Sequence, residues 1–474
     1  MLFNSLEFII FLPMVLLGHH LLSGNPLRFF LLMASYLFYG WHEPWWCVLL
    51  FFTTALDWLA ALKIAGSDRP GVRRFWLGVS LTGNLGMLAY FKYTPWLVNT
   101  LRMPLFALFG IQIGEMAQLE LPPGISFYTF QTLSYTVDVY RRQMVPVRSL
   151  RDLALYVTYF PQLVAGPIER AGDLLPQLLE KQQIGPSDRR EGLTRILWGL
   201  TKKTVFADNF SGFVASVWGD PHAATTWELL LALHCFSFQV YLDFSAYSDI
   251  ACGTAQMMGV RLKENFRWPF LARNPIEFWQ RWHVTLGTWI RDYVYFPLGG
   301  SRDGKGRGYL NSLICMLAVG LWHGADAKFL IWGFFHWIYE MVYRGWVAVF
   351  GTRFKPGMPY TLRDIPAIFV MYNLVIPQVF FGAPTLADGW YILTRLATDW
   401  SLPAIHQPAE YVFRTTVTLA IAMGFHIVRG LSEGRKPDFS RLGPVSTGLV
   451  WAMMILGIVC FHATQPQRFF YFQF

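Results

Sequence analysis

Apolar stretches of about 20 residues recur along the whole chain, the length a helix needs to cross a bilayer's hydrocarbon core. They fall roughly at 3–22, 27–41, 44–65, 74–92, 94–110, 124–141, 151–165, 192–218, 226–258, 310–349, 364–383, 409–429 and 445–463. Some are too short to cross, and others are broken by Pro and Gly, as in Phe160-Pro-Gln-Leu-Val-Ala-Gly-Pro167. Broken backbone at membrane depth is tolerated only where protein or water surrounds it. The pattern therefore predicts an all-α, polytopic transmembrane bundle with re-entrant and in-plane helices, forming a single integral-membrane domain over residues 1–474.

Composition agrees. Of 474 residues, 54% are hydrophobic and only 15% charged, against roughly a quarter charged in soluble domains. The net charge of +9 reads as an excess of positive residues in cytoplasmic loops. The basic segments 67–74, 141–151, 301–307 and 429–441 then lie in the cytoplasm, which puts both termini on the far side. No soluble face interleaves basic and aromatic residues, so nucleic acid is not an expected partner. The five cysteines are dispersed without CxxC spacing, and they read as buried thiols with no metal site. The first residues lack a basic n-region and a small-residue cleavage site, as expected of a retained first helix.

Against this background one residue stands out. His323 lies in a run from Tyr309 to Ala325 that is otherwise apolar or small, and an ionisable group at membrane depth points to function or to a water-filled path. Gly320 and Gly324 flank it and would let backbone or ligand approach closely. Asp326 could orient the imidazole or belong to the helix end. A second histidine, His283, lies in a segment with its own helix start: Asn274 as cap, Pro275 at the first position and Glu277 where a capping-box acid stands. That helix is expected to run to Asp292, with Trp279, His283 and Ile290 on one face. Alone, His283 fits an interfacial structural role as well as a chemical one; its weight comes from co-occurrence with His323. His336, thirteen residues beyond His323, is a distant third.

Other candidates carry less. Asp243 and Asp249, six residues apart, point to different faces of one helix, and one or both are expected to anchor an arginine or cap a broken helix. The loop 299–307 offers Arg302, Lys305 and Arg307 for phosphate contact, without Walker spacing. HExxH, GxSxG and HxxxxD are all absent from the sequence, which removes the motifs of zinc proteolysis, serine hydrolysis and soluble glycerol acyl transfer.

Several long segments, taken in order, resemble one family. They are 123–141, Tyr159-Phe-Pro-Gln-Leu-Val-Ala-Gly-Pro-Ile-Glu169, Gly199-Leu-Thr-Lys-Lys203 with Ala207-Asp208, 241–251, 278–300 and Gly320-Leu-Trp-His-Gly-Ala325. Together they resemble the membrane-bound O-acyltransferases (MBOAT), and within them the bacterial polysaccharide O-acetyltransferases of the alginate AlgI type. Ala246 departs from the glycine expected in the related Phe-Ser-Gly-Tyr-Ser motif. The resemblance implies a bundle around a central tunnel in a bacterial inner membrane, with periplasmic termini. His323 would hold the invariant histidine position and His283 the second. It further implies no bound cofactor, with acetyl-CoA or an acyl-carrier thioester as donor, an exopolysaccharide acceptor such as alginate or cellulose, and a periplasmic polysaccharide acetyltransferase as partner. The alternatives are a D-alanyl transferase fed by a carrier protein and a non-catalytic exporter of acyl groups or polymer.

Overall fold

The computed structural model describes residues 1–351, 360–374, 377–400, 405–431, 443–462 and 469. Every regular element among the described residues is helical. Five helices are long and apolar enough to cross a membrane, among them Trp45–Ala65, Thr226–Met257, Ala409–Leu431 and Pro444–Phe461. Their burial differs: the most apolar window of Thr226–Met257 is 78% buried within the protein, that of Pro444–Phe461 only 6%. The first is a core helix. The second turns its apolar surface outward, as a lipid-facing helix does.

By backbone proximity the chain divides into two compact units. The first comprises residues 1–196 and 247–263, the second 197–246 and 264–473; the helix Thr226–Met257 contributes to both.

In the first unit, the expectation of separate helices at 74–92 and 94–110 is corrected. One helix runs Pro70–Phe109 across Pro95 and Pro104. Proline removes a backbone donor and crowds the preceding turn, and here the Thr94 hydroxyl donates to the Ala89 carbonyl at 3.2 Å beside that irregularity. Arg73, on the same helix, donates to the Ile64 and Tyr140 carbonyls and lies over the Tyr140 ring. It thereby ties the ends of the helices Trp45–Ala65 and Ile125–Tyr140 to its own, where cations complement the orphan carbonyls. Asp57 is fully buried and accepts from Ser80 and Asn84, so its cost of burial is offset by hydrogen bonds.

The helix expected over 151–165 stops at Thr158, and the broken piece that follows, through 169, is non-helical and wholly buried in protein, as a segment that lipid must not reach requires. Some of its polar groups find partners within the protein: Gln162 Nε2 donates to the Tyr156 carbonyl at 2.8 Å, and the Phe160 amide to Ser35 Oγ at 3.2 Å. Gly124 makes this possible. It has φ +74°, and a Cβ there would lie 2.8 Å from the Val164 Cα, so no side chain fits.

The second unit is braced by a buried ion cluster. Lys203 is 1% exposed, and its Nζ lies 2.8 Å from Asp208 Oδ1 and 2.6 Å from Asp243 Oδ1. The Phe469 ring covers it at 4.5 Å. A π-helical turn, Lys202–Ala207, places Lys203 and Asp208 on one side. Such turns insert an extra residue and re-aim side chains. Asp249, in the first unit, anchors Arg195 at 2.9 Å as expected, whereas the partner of Asp243 is a lysine, Lys203. Removing one partner of a buried cluster strands the others. Lys203→Met, which leaves two buried carboxylates, is expected to destabilise the protein by about 3 kcal/mol or more, seen as a lower melting temperature in detergent; Asp243→Asn should cost less.

Candidate functional site

Both sequence-predicted histidines lie in the second unit, and the structure brings them together. His323 is the last residue of the helix Lys305–His323, and Ala327–Phe350 returns antiparallel beside it. Two glycines set the spacing. A Cβ on Gly320 would lie 2.3 Å from the Phe329 carbonyl oxygen, and one on Gly333 would lie 2.4 Å from that of Met316. Only hydrogen at those positions permits this separation. Asp326 proves to be the helix-end residue: its carboxylate accepts from the Lys328 amide at 2.9 Å and caps the second helix, as aspartate does at an N-terminus.

His323 is 4% exposed and sits among aromatic rings. Centroids of Trp322, Trp332 and Phe381 lie 4.9, 5.0 and 5.0 Å from its own. The His283 ring lies 5.6 Å from the Trp322 indole. Trp322 is therefore a direct neighbour of both imidazoles.

The structure corrects the expected helix through His283. It stops at Trp279, and a second helix, Val284–Ile290, starts after a break at His283. The start signals themselves hold, since Asn274 Oδ1 accepts from the Glu277 amide at 2.9 Å and Pro275 takes the first position. Glu277 does more than cap: it binds the Arg273 and Arg281 guanidiniums at 3.0 and 3.1 Å. His283 itself has φ +43°, ψ +54°, a left-handed conformation that a non-glycine residue adopts at a cost. Periodicity counts faces and cannot see such a break.

What holds the strained residue is Asn265, which the sequence reading did not single out. Its side-chain oxygen lies 3.2 Å from His283 Nδ1 and accepts from Thr285 Oγ1 at 2.7 Å, while its carbonyl accepts from the Val284 amide at 3.0 Å. An amide oxygen only accepts, so Nδ1 carries the proton and Nε2 is the basic nitrogen of the ring. Burial pushes the His283 pKa down to about 3, so the imidazole is neutral throughout the physiological range. The Phe244 ring packs edge-on at 4.7 Å.

The basic loop is elsewhere. Arg302, Lys305 and Arg307 are exposed, and Lys305 opens the helix that His323 closes, about 27 Å away along its axis. His336, by contrast, is closer to the site than its sequence distance implied. Its ring lies 4.6 Å from Trp332, the residue that contacts His323.

Residues 85–383 match the model of the MBOAT, membrane-bound O-acyltransferase family. The chain belongs to that family. The MBOAT match spans both compact units and the whole histidine site. The chain is 34% identical to the "Probable alginate O-acetylase AlgI" of Pseudomonas putida, with both proteins covered in full. It is 36% identical to that of Pseudomonas aeruginosa, over 86% of this chain and 77% of the relative. It is also 32% identical to the "Peptidoglycan O-acetyltransferase" of Helicobacter pylori, over 83% and 79% respectively. This MBOAT chain is thus a multi-pass membrane O-acyltransferase.

Two outcomes follow from the geometry. Asn265→Leu removes the acceptor that fixes the His283 tautomer and is expected to lower the transfer rate about 10-fold or more, measured by initial rates in proteoliposomes at matched protein level. Gly320→Ala forces the helix pair apart and is expected to cost about 1–3 kcal/mol, read from thermal unfolding.

Proposed function

We propose that this enzyme moves an acetyl group from a thioester donor at the cytoplasmic face, acetyl-CoA, to a hydroxyl presented on the opposite side of the inner membrane. The acceptor hydroxyl belongs to an exopolysaccharide, or to a periplasmic partner acetyltransferase that passes the group on to the polymer. The observation that carries this reading is the pairing of two buried imidazoles about Trp322 within a chain of this family. The names of the three relatives compared above support acetyl as the acyl group; they divide between alginate and peptidoglycan as the polymer.

Chemically the demands are modest. A thioester carbonyl is already activated, so the site needs a base and a water-poor enclosure. His323 accepts the proton of the attacking hydroxyl as the new C–O bond forms and the C–S bond breaks. The departing thiolate then takes up that proton. Neutral His283, with its proton fixed on Nδ1 by Asn265, positions the donor. Aromatic walls exclude water that would otherwise hydrolyse the thioester.

The test is the acetyl content of exopolymer from cells carrying His323→Ala or His283→Asn, at verified protein levels. His323→Ala is expected to lower acetylation by about 100-fold or more, and His283→Asn by less. Normal acetylation in the His323 variant would sink the catalytic assignment. Purified protein offered acetyl-CoA or a D-alanyl carrier thioester distinguishes the donor.

A further inference from the structure

His336 has no part in the reaction proposed above, yet this imidazole, 8% exposed, lines a small cavity. The cavity holds about 20 Å³, and its walls include Phe270, Phe278, Trp279, Tyr372 and Gln378. No Asp, Glu, Lys or Arg lines it among the described residues. Three of its residues carry a buried polar atom with no hydrogen-bond partner among the described residues: Trp279 Nε1, His336 Nε2 and the Tyr372 hydroxyl oxygen.

Buried polar atoms are costly to leave unpaired, and three around one cavity point to a shared guest. An ordered water needs roughly 10–15 Å³ and two to four polar partners. This cavity meets both conditions and is too small for an acyl chain or a sugar ring. The donor and acceptor inventory matches as well. An indole N–H only donates, so the water oxygen accepts from Trp279, leaving its two hydrogens for His336 Nε2 and the Tyr372 oxygen.

His336 is also one ring away from the base. It lies 4.6 Å from Trp332 and 5.1 Å from Trp279, and Trp332 lies 5.0 Å from His323. Rings at these separations are in contact. A tilt of the His336 ring therefore reaches the indole packed against His323.

We propose that the cavity binds one water molecule shared by Trp279, His336 and Tyr372, and that His336, held by that water, is a positioning residue that seats Trp332 against His323. The positioning role rests on the acetyltransferase reading above; the water site does not.

The water is sought by NMR on the full chain in detergent with isotope-labelled tryptophan, the Trp279 indole signal being assigned by its loss in Trp279→Phe. Cross-relaxation between that N–H and a resident water is expected in the wild type and should weaken in His336→Phe and Tyr372→Phe. Its absence from folded wild type would overturn the site, as would a signal that both variants leave unchanged. Initial rates with acetyl-CoA then compare His336→Phe, which keeps a ring without a polar atom, with His336→Gln, which keeps a polar atom without a ring. Each is checked for a monodisperse gel-filtration profile. His336→Phe is expected to lower the rate about 10-fold and His336→Gln by less. Packing alone predicts the reverse order, and that result would overturn the positioning role. A wild type that shows the water signal but transfers nothing from any thioester would instead overturn the functional reading.

Discussion

The site depends on how closely two helices can approach. Lys305–His323 and Ala327–Phe350 run antiparallel with backbone against backbone at Gly320 and Gly333, closer than any side chain permits. That contact brings Trp332 across to His323. Lipid offers apolar side chains no incentive to leave it, so packing and hydrogen bonding must hold helices together in a membrane. Glycine contributes by letting many atoms of the two backbones touch. Widen this gap and the ring contacts around His323 open with it.

The polar groups follow the same logic. Asp57, Arg73, Lys203, Asp208 and Asp243 are all buried, and each is satisfied by a specific partner rather than by solvent. A buried charge without partners is too costly to retain, so these clusters fix which helices are neighbours. They specify the arrangement more than they add to its stability.

Much of this was legible in the sequence. Long apolar runs announced the membrane helices, because length and hydropathy alone decide whether a segment can span. The irregular, buried stretch around Pro161–Pro167 was legible too, since its prolines and glycine forbid a lipid-exposed helix. His323 stood out against its apolar run. What escaped was set by contacts between distant residues. The break at His283 is held by Asn265, eighteen positions away, and no local pattern distinguishes that asparagine from others. The single helix Pro70–Phe109 escaped too: the apolar runs suggested two helices, but the chain stays helical between them and through Pro95. The ordered motifs around Lys203 and Asp243 were recognisable as family features, yet only the folded structure shows that they are two halves of one ion cluster.

The left-handed backbone of His283 bears on how its side chain can be studied. At φ +43° an alanine is as strained as the histidine it replaces but lacks the Asn265 contact that holds the residue there. A loss of activity in such a variant would mix a missing imidazole with a relaxed chain. Glycine tolerates the conformation and asparagine adopts it more readily than most residues. The pair therefore separates ring chemistry from backbone shape: glycine deletes the ring without adding strain, and asparagine restores a polar side chain on the same frame.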